Sequence, residues 1–151
     1  MNENHQPIIK KLETKKEMLT AYPLLTQMYH GMKKDEYEIY LNEMIETNNF
    51  MMVAAFENNQ IVGVAGYWIL RMLYCGRYVQ VSSFVVDQEK RGSGIGKRIL
   101  DAIAAIAEEL KCQKIILDSY TENKQSHALY YRENFYIRGF HFMKDLQISP
   151  T

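Results

Sequence analysis

One short segment of the sequence limits the possible folds of this chain more than any other segment does. A run rich in β-branched residues at 78–86 leads into three glycines within five residues, Gly92, Gly94 and Gly96, and then into apolar residues at helical spacing. Those apolar residues are Ile95, Ile99, Ile103, Ile106 and Leu110. A short buried strand is predicted next, at 114–118. A strand, a loop, a helix and a strand in this order predict a parallel pair of strands within one sheet.

The remaining chain predicts an α+β domain around that unit. Helices are expected at 14–28 and 35–47, where Thr14 with Glu17 forms a capping box and Pro23 should kink or split the first helix. A further helix is expected at 123–133. The strand pattern occurs at 8–12, 50–56, 60–71, 78–86 and 136–146. We therefore predict a mixed, mostly antiparallel sheet with one parallel strand pair and about four helices, in a single domain over residues 1–151.

Composition excludes several classes of protein. Lys plus Arg and Asp plus Glu number 18 each, so the net charge is zero and neither nucleic acid nor an anionic membrane is expected as a partner. The two cysteines, Cys75 and Cys112, have no metal-site spacing, and we expect no metal and no disulfide framework. The first six residues lack the basic and apolar regions of a secretory signal, and no apolar run approaches the ~20 residues of a membrane span. We expect a cytoplasmic protein.

The glycine segment has the properties of an anion site. Glycines allow a close backbone approach and a positive φ, and the helix that follows directs its free N–H groups and its positive dipole end at the loop. Arg91 and Lys97 add positive charge. A pyrophosphate fits such a site. A Walker A loop is excluded because Arg98, not Ser or Thr, follows Lys97, and the Rossmann glycine spacing is absent.

The pattern Arg91-x-x-Gly94-x-Gly96 resembles the pyrophosphate loop of the GNAT superfamily of N-acetyltransferases. The resemblance covers about residues 7–146 and implies a GNAT-like sheet of the three-layer α/β type with a splayed parallel strand pair. It implies that acetyl-coenzyme A (acetyl-CoA) is the acetyl donor, with backbone N–H groups of Phe84, Val85 and Val86 holding the thioester carbonyl. The residues it assigns to the pyrophosphate are Arg91, Gly92, Ser93, Gly94, Ile95, Gly96 and Lys97.

A second signature lies in the helix predicted at 123–133. Asn123, Leu129, Tyr130 and Phe135 match the family's pattern, and Asn134 stands where the family has a glycine, which Asn can replace because it also adopts positive φ. The resemblance implies that Asn123 contacts the cofactor and that Tyr130 donates a proton to the departing thiolate. A Tyr hydroxyl with a pKa near ~10 is a competent neutral donor. Tyr131 is a competing donor, and packing of Tyr130 in the core is the alternative role.

The general base is less evident, because the strand at 78–86 lacks the Glu that many family members carry there. Asp118, His127 and a water chain to bulk solvent are the three candidates. Asp118 ends a predicted strand and could instead cap a turn through Ser119 and Thr121. His127 lies three residues before Tyr130 on one helix face and could instead make a structural hydrogen bond. His141 is a weaker candidate.

The acceptor is expected between the two N-terminal helices and the loop after Arg71. Aromatic and acidic side chains there would suit a cationic amine, and they are Tyr29, Glu36, Tyr37, Tyr40, Glu43 and Tyr74. The alternative for most of them is an ordinary helix face, with the tyrosines buried and the acids solvated. Only sixteen residues follow Phe135, so we expect an exposed edge that a homodimer would cover. Two other functions stay open: a non-catalytic acyl-CoA sensor or protein-interaction module, and a nucleotide-binding protein that uses the glycine loop for phosphate.

Overall fold

The computed structural model describes residues 6–148, so predictions about the first five residues and the last three lie outside the described part. The chain divides into two compact units that meet in sequence between Leu117 and Asp118. The single domain over 1–151 therefore stays a prediction. No helix among the described residues is both long enough and apolar enough to cross a bilayer.

The first unit is built on a five-stranded sheet. Its strands are β1 (Ile8–Leu12), β2 (Phe50–Glu57), β3 (Gln60–Met72), β4 (Gly76–Val86) and β5 (Lys114–Leu117), in the spatial order β1-β2-β3-β4-β5. Neighbouring strands are antiparallel except β4 and β5, which run parallel. The predicted mixed sheet with one parallel pair is therefore confirmed. The turn at Asn58 and Asn59 has positive φ at both residues, as a tight hairpin requires.

Four helices complete the first unit, with a short 3₁₀ helix before the last of them. The four α-helices are α1 (Lys15–Leu19), α2 (Tyr22–Leu25), α3 (Lys34–Glu46) and α4 (Ile95–Glu109). The 3₁₀ helix spans Gln88–Lys90. The capping box of Thr14 and Glu17 is confirmed at the start of α1. Pro23 splits the predicted first helix in two, because it lies in the first turn of α2, where a missing N–H costs nothing.

The sheet buries a separate apolar cluster on each side. Helices α1, α2 and α3 cover the cavity face, which we define by Leu25, Leu41, Phe50, Met52 and Val64. Helix α4 covers the α4 face, where Ile95, Ile99 and Ile103 pack on strand residues that include Val53 and Val79. Strand alternation places successive β2 residues on opposite faces, and this explains the two clusters.

The second unit contains α5 (Lys124–Arg132), so the described chain has five α-helices rather than about four. Asn123 caps α5 with its side chain, which accepts from the N–H of Ser126. Asn134 has φ 64°, which confirms that it adopts the positive φ expected where the family has glycine. The strand predicted at 136–146 is wrong: no strand occurs among residues 118–148. Apolar residues in a strand-like pattern form a strand only where a neighbouring edge supplies a ladder of hydrogen bonds, and the described sheet comprises β1 to β5 alone.

Candidate functional site

The loop that joins β4 to α4 is anchored at its start by side-chain hydrogen bonds. Asp87 Oδ1 accepts from the Glu89 N–H at 3.1 Å and caps the 3₁₀ helix. Gln27, just after α2, donates to Asp87 and accepts from the Gln88 N–H at 3.0 Å. Lys90 pairs with Glu57 at 2.6 Å, and this carboxylate raises the pKa of Lys90. The sequence pointed to none of these anchors, because Gln27 and Glu57 are remote in the chain.

The glycines give the loop the conformation and the space that an anion site needs. Gly92 and Gly94 have φ of 80° and 84°, and a Cβ at either residue would find no other atom within 4 Å. Gly94 is the N-cap of α4, and no side chain caps that helix end. The first N–H groups of α4 therefore have no side-chain partner from the N-cap and can receive an anionic group. This open cradle fits the pyrophosphate of coenzyme A.

The two expected cations at the loop have different surroundings. Arg91 is exposed, and its Nε lies 3.4 Å from the carbonyl oxygen of Val86. Lys97 forms an ion pair with Asp101 at 2.8 Å, with both side chains more than half exposed. Such an exposed pair is weak, so Lys97 can exchange Asp101 for a phosphate. Arg98 donates to the Pro7 carbonyl and ties α4 to the residues before β1.

A bulge in β4 changes the direction of the strand just before the loop. Gly66 pairs with Ser82 but Val64 pairs with Val85, so the register shifts between these pairs. Ser83 lies in the shift with φ 48°, an uncommon value for a non-glycine residue. The parallel ladder with β5 ends earlier, at Val81. The segment 84–86, assigned to the thioester carbonyl, therefore lies beyond the parallel ladder, as a splayed strand pair requires.

A cavity of about 500 Å³ lies on the cavity face of the sheet. Of the acceptor residues expected from sequence, four line it, namely Tyr29, Glu36, Tyr37 and Tyr40. The other two lie outside the cavity lining. Glu43 is exposed on α3 outside the cavity lining, and Tyr74 is 68% exposed at the turn between β3 and β4. Periodicity and proximity in sequence did not distinguish the inner and outer faces of α3.

The cavity also contains residues that the sequence did not predict. Its walls include apolar side chains from α2, α3 and β2 and the intervening loop: Leu25, Met32, Leu41, Met44, Phe50 and Met52. Ser83, on the β4 bulge, lines the cavity, and its Oγ lies 3.0 Å from the Tyr29 hydroxyl. Two adjacent serines in a strand of β-branched residues were the available signal for this irregularity. Because Ser83 precedes residues 84–86 directly, the cavity reaches the strand segment assigned to the thioester.

The tyrosines of the cavity differ in their roles. The Tyr37 hydroxyl donates to the Met18 carbonyl at 2.7 Å, and burial raises the pKa of Tyr37 to about 12. The exposed Tyr40 hydroxyl donates to Glu36 at 3.2 Å, and this carboxylate raises the pKa of Tyr40. Tyr37 is therefore a structural hydrogen-bond donor, whereas Tyr40 and Glu36 are available at the rim.

In the second unit, Tyr130 has the properties of a neutral proton donor. Burial raises the pKa of Tyr130, while a hydrogen bond with Ser126 lowers it, and the net shift is upward. Its ring lies 5.8 Å from that of Phe135, centroid to centroid. Tyr131, by contrast, is 56% exposed. The two neighbouring tyrosines thus differ in burial, and the contact of Tyr130 with Phe135 fits the alternative packing role.

The two candidate bases of the second unit are held differently. His127 Nε2 lies 2.9 Å from the Tyr120 carbonyl oxygen. A carbonyl can only accept, so Nε2 carries the proton and the ring makes the structural hydrogen bond considered as the alternative. Asp118 Oδ1 lies 3.4 Å from His141 Nδ1, with both side chains more than half exposed. The sequence ranked His141 lower, because nothing in its spacing indicates contact with Asp118.

Residues 18–135 match the acetyltransferase (GNAT) family. An uncharacterized N-acetyltransferase of Bacillus subtilis, YhdJ, is 23% identical over 90% of this chain and 96% of its own length. Spermine/spermidine N(1)-acetyltransferase of Bacillus subtilis is 29% identical over 68% of this chain and 70% of its own. A solved structure of AAC(6')-Iy, in complex with the bisubstrate analogue CoA-S-monomethyl-acetylneamine, superposes with a TM-score of 0.78 at 18% identity, over 93% of this chain and 99% of that one. On the family match, with the fold and the glycine loop in agreement, this chain is an acetyltransferase that belongs to the GNAT family.

Proposed function

We propose that this acetyltransferase uses acetyl-CoA and transfers the acetyl group directly to the primary amine of a small molecule or a peptide. One observation supports this most: the cavity is lined by Ser83, directly before the strand segment that leads into the glycine loop. A donor held by the loop and an acceptor held in the cavity would therefore meet at residues 84–86. Holding two reactants side by side lowers the entropic cost of reaction.

The residues of the donor site each have a role in this proposal. Residues 91–97 hold the pyrophosphate through backbone N–H groups, and Arg91 and Lys97 add charge. Backbone N–H groups of 84–86 hold the thioester carbonyl and polarise it, as an oxyanion hole does. Asn123, whose side chain caps α5, stabilises the start of that helix and is a further candidate to contact the cofactor.

The transfer requires two proton movements. Acetyl-CoA supplies the acetyl group as a thioester: the acceptor nitrogen forms the new C–N bond, the C–S bond breaks, and the sulfur leaves as thiolate. Tyr130 gives its hydroxyl proton to that thiolate and is reprotonated through solvent by the proton that the nitrogen loses as the C–N bond forms. An ammonium acceptor must also lose one proton beforehand, because only the neutral amine can attack. Asp118, in contact with His141, or a water chain to solvent accepts the amine proton. His127 retains a positioning role through Tyr120.

The relatives agree with this proposal in chemistry. AAC(6')-Iy was solved with a coenzyme A bisubstrate analogue, and the Bacillus subtilis relative is named for spermine and spermidine. Both names describe transfer to amines. A non-catalytic sensor would not need an acceptor cavity next to the donor strand, so transfer accounts for more of the structure.

The donor site is tested by Gly94→Val. A β-branched residue at φ 84° strains the N-cap of α4, and we expect acetyl-CoA affinity, measured by calorimetry, to fall by about 100-fold or more. Gly76→Val is the matched control, because Gly76 also has positive φ, at 69°, but lies in the turn between β3 and β4. Equal affinity in Gly94→Val and Gly76→Val would contradict the loop assignment.

The proton donor is tested by Tyr130→Phe. Loss of the hydroxyl should lower kcat by roughly 100-fold and leave acetyl-CoA binding intact, because general acids contribute on the order of 100-fold or more. Tyr131→Phe, next to it on α5, should behave like the unchanged chain. Full turnover in Tyr130→Phe would remove Tyr130 from this role and leave the packing role.

A further inference from the structure

The chemistry of the cavity restricts the acceptor more than the family does. We propose that the acceptor is a primary amine with a single positive charge on an apolar body, rather than a polyamine or an amino sugar. This inference rests on the proposed function, because it assumes that an amine is acetylated. The class of amine is inferred from the residues that line the cavity.

The apolar walls are the first reason. Three methionines, Met32, Met44 and Met52, line the cavity with Leu41 and Phe50. Methionine side chains are flexible and polarizable, so they fit apolar groups of varied shape. A hydroxyl-rich sugar would leave most of its polar groups without partners against these walls, and that is costly.

The count of charges is the second reason. Glu36 is the one carboxylate among the residues that line the cavity. It lies at the exposed rim and accepts a hydrogen bond from Tyr40. This carboxylate can attract a singly charged ammonium group to the cavity as it enters, whereas no second carboxylate of the lining matches the further charges of a polyamine, which would face apolar walls. Burying an unpaired charge is far less favourable than leaving it in water.

The position of the polar groups is the third reason. Tyr29 and Ser83 are in contact on the side of the cavity formed by β4, next to residues 84–86. The two hydroxyls can orient the amino nitrogen toward the acetyl group while the apolar body fills the space between α3 and β2. At about 500 Å³ the cavity is within the range of small-molecule sites, roughly 300–1,000 Å³.

The sole tryptophan of the chain gives a readout that does not depend on turnover. Trp68 packs against Phe50 with ring centroids 4.9 Å apart, and Phe50 lines the cavity. Occupancy of the cavity should therefore change the fluorescence of Trp68. Acetylation is followed separately, by release of the coenzyme A thiol.

The test compares butylamine, hexylamine and phenethylamine with spermidine and glucosamine 6-phosphate, using the full chain with saturating acetyl-CoA. A short peptide with an N-terminal leucine shows whether the apolar amine can be a peptide end. We expect kcat/KM to rise about fourfold per added methylene from butylamine to hexylamine, the factor that burial of one methylene predicts. Hexylamine should also saturate a change in Trp68 fluorescence at lower concentration than spermidine.

Variants of the cavity sharpen the result. Glu36→Gln should raise the KM for hexylamine about threefold, the size expected of an exposed ion pair, whereas Glu43→Gln removes the same charge from α3 outside the cavity and should change nothing. Met44→Lys should weaken hexylamine binding at least tenfold, because it adds a positive charge to the cavity, while Met44→Leu should preserve binding.

The possible outcomes distinguish failure of the acceptor class from failure of the proposed function. Saturable binding of hexylamine with acetylation supports both. Acetylation of spermidine or glucosamine 6-phosphate in preference to hexylamine overturns the acceptor class and leaves the proposed function standing. Binding of hexylamine seen by Trp68 without acetylation of any amine overturns the proposed function and leaves only the class of amine that the cavity binds. Neither binding nor acetylation of any amine overturns both.

Discussion

The two faces of the sheet are packed very differently. On the α4 face, a Cβ added to Gly63 would lie 2.8 Å from side-chain atoms of both Ile95 and Ile99, so no space remains between helix and sheet at this point. On the cavity face, helices α2 and α3 stand off β2 far enough to leave about 500 Å³. The dense face positions the helix that follows the glycine loop, and the open face leaves room for a second molecule. In the proposed reaction, the closely packed face would support the donor site and the open face would hold the acceptor.

The largest effect is expected where the packing is densest. Gly63→Ala should destabilise the chain by about 1–3 kcal/mol, because an added methyl group overpacks the contact with α4. Gly66→Ala is its counterpart on the cavity face. Its Cβ would meet the ring of Phe50 at 2.9 Å, but that ring borders the cavity and can shift into it. We expect a cost below about 1 kcal/mol in urea unfolding, and equal costs would contradict the difference between the faces.

The second prediction concerns the floor of the cavity. Tyr37→Phe should cost about 1–2 kcal/mol of unfolding free energy, because the buried Met18 carbonyl loses its side-chain donor. Tyr40→Phe removes only a hydrogen bond at the exposed rim and should stay within about 0.5 kcal/mol of the unchanged chain. A Tyr37 variant as stable as the Tyr40 variant would show that Tyr37 is not part of the rigid support for α1.

A third variant fills the open face. Met44→Phe places a larger side chain in the cavity wall, so thermal unfolding should change by the equivalent of less than about 1 kcal/mol. The KM for an amine acceptor should nevertheless rise, because the volume left for it is smaller, while the affinity for acetyl-CoA stays constant. Loss of acetyl-CoA affinity in this variant would show that the two faces are not independent.

The smallest effect is expected at α1, on the outer edge of the cavity face. Backbone N–H groups of Thr14 and Glu13 lower the pKa of Glu17 from its ordinary 4.5. A carboxyl with a lowered folded-state pKa contributes stability above its unfolded pKa and loses that stability as the pH falls through the folded value. Unfolding curves between pH 7 and pH 3 should therefore converge for the unchanged chain and Glu17→Gln at the acid end. A constant difference across this range would contradict the prediction.

The local parts of this protein were predictable because their causes are local. The capping box of Thr14 and Glu17, the split at Pro23, the Asn58–Asn59 turn and the left-handed Asn134 each depend on a few adjacent residues. The glycine loop was predictable for the same reason, because the residue with positive φ, the N-cap and the start of α4 lie within a few consecutive residues. The strand at 136–146 was mispredicted because pairing depends on a distant edge.

The acceptor cavity shows the opposite case. Its walls come from α2, α3, β2 and the β4 bulge, which are separated in sequence, and only their packing decides which side chains face inward. That packing selected Glu36 over Glu43 and brought Tyr29 to Ser83. In the second unit it likewise paired Asp118 with His141 and tied His127 to a backbone carbonyl.

The sequence by itself determined the order of the elements as far as α5, the glycine loop and, through Arg91, Gly94 and Gly96, the family. These follow from periodicity and backbone conformation, which are properties of neighbouring residues. Only the tertiary structure decided the bulge at Ser83, the anchoring of the loop by Gln27 and the shape and polarity of the cavity. Those depend on contacts between residues far apart in the chain, whose free energies are set by burial and packing rather than by local preference.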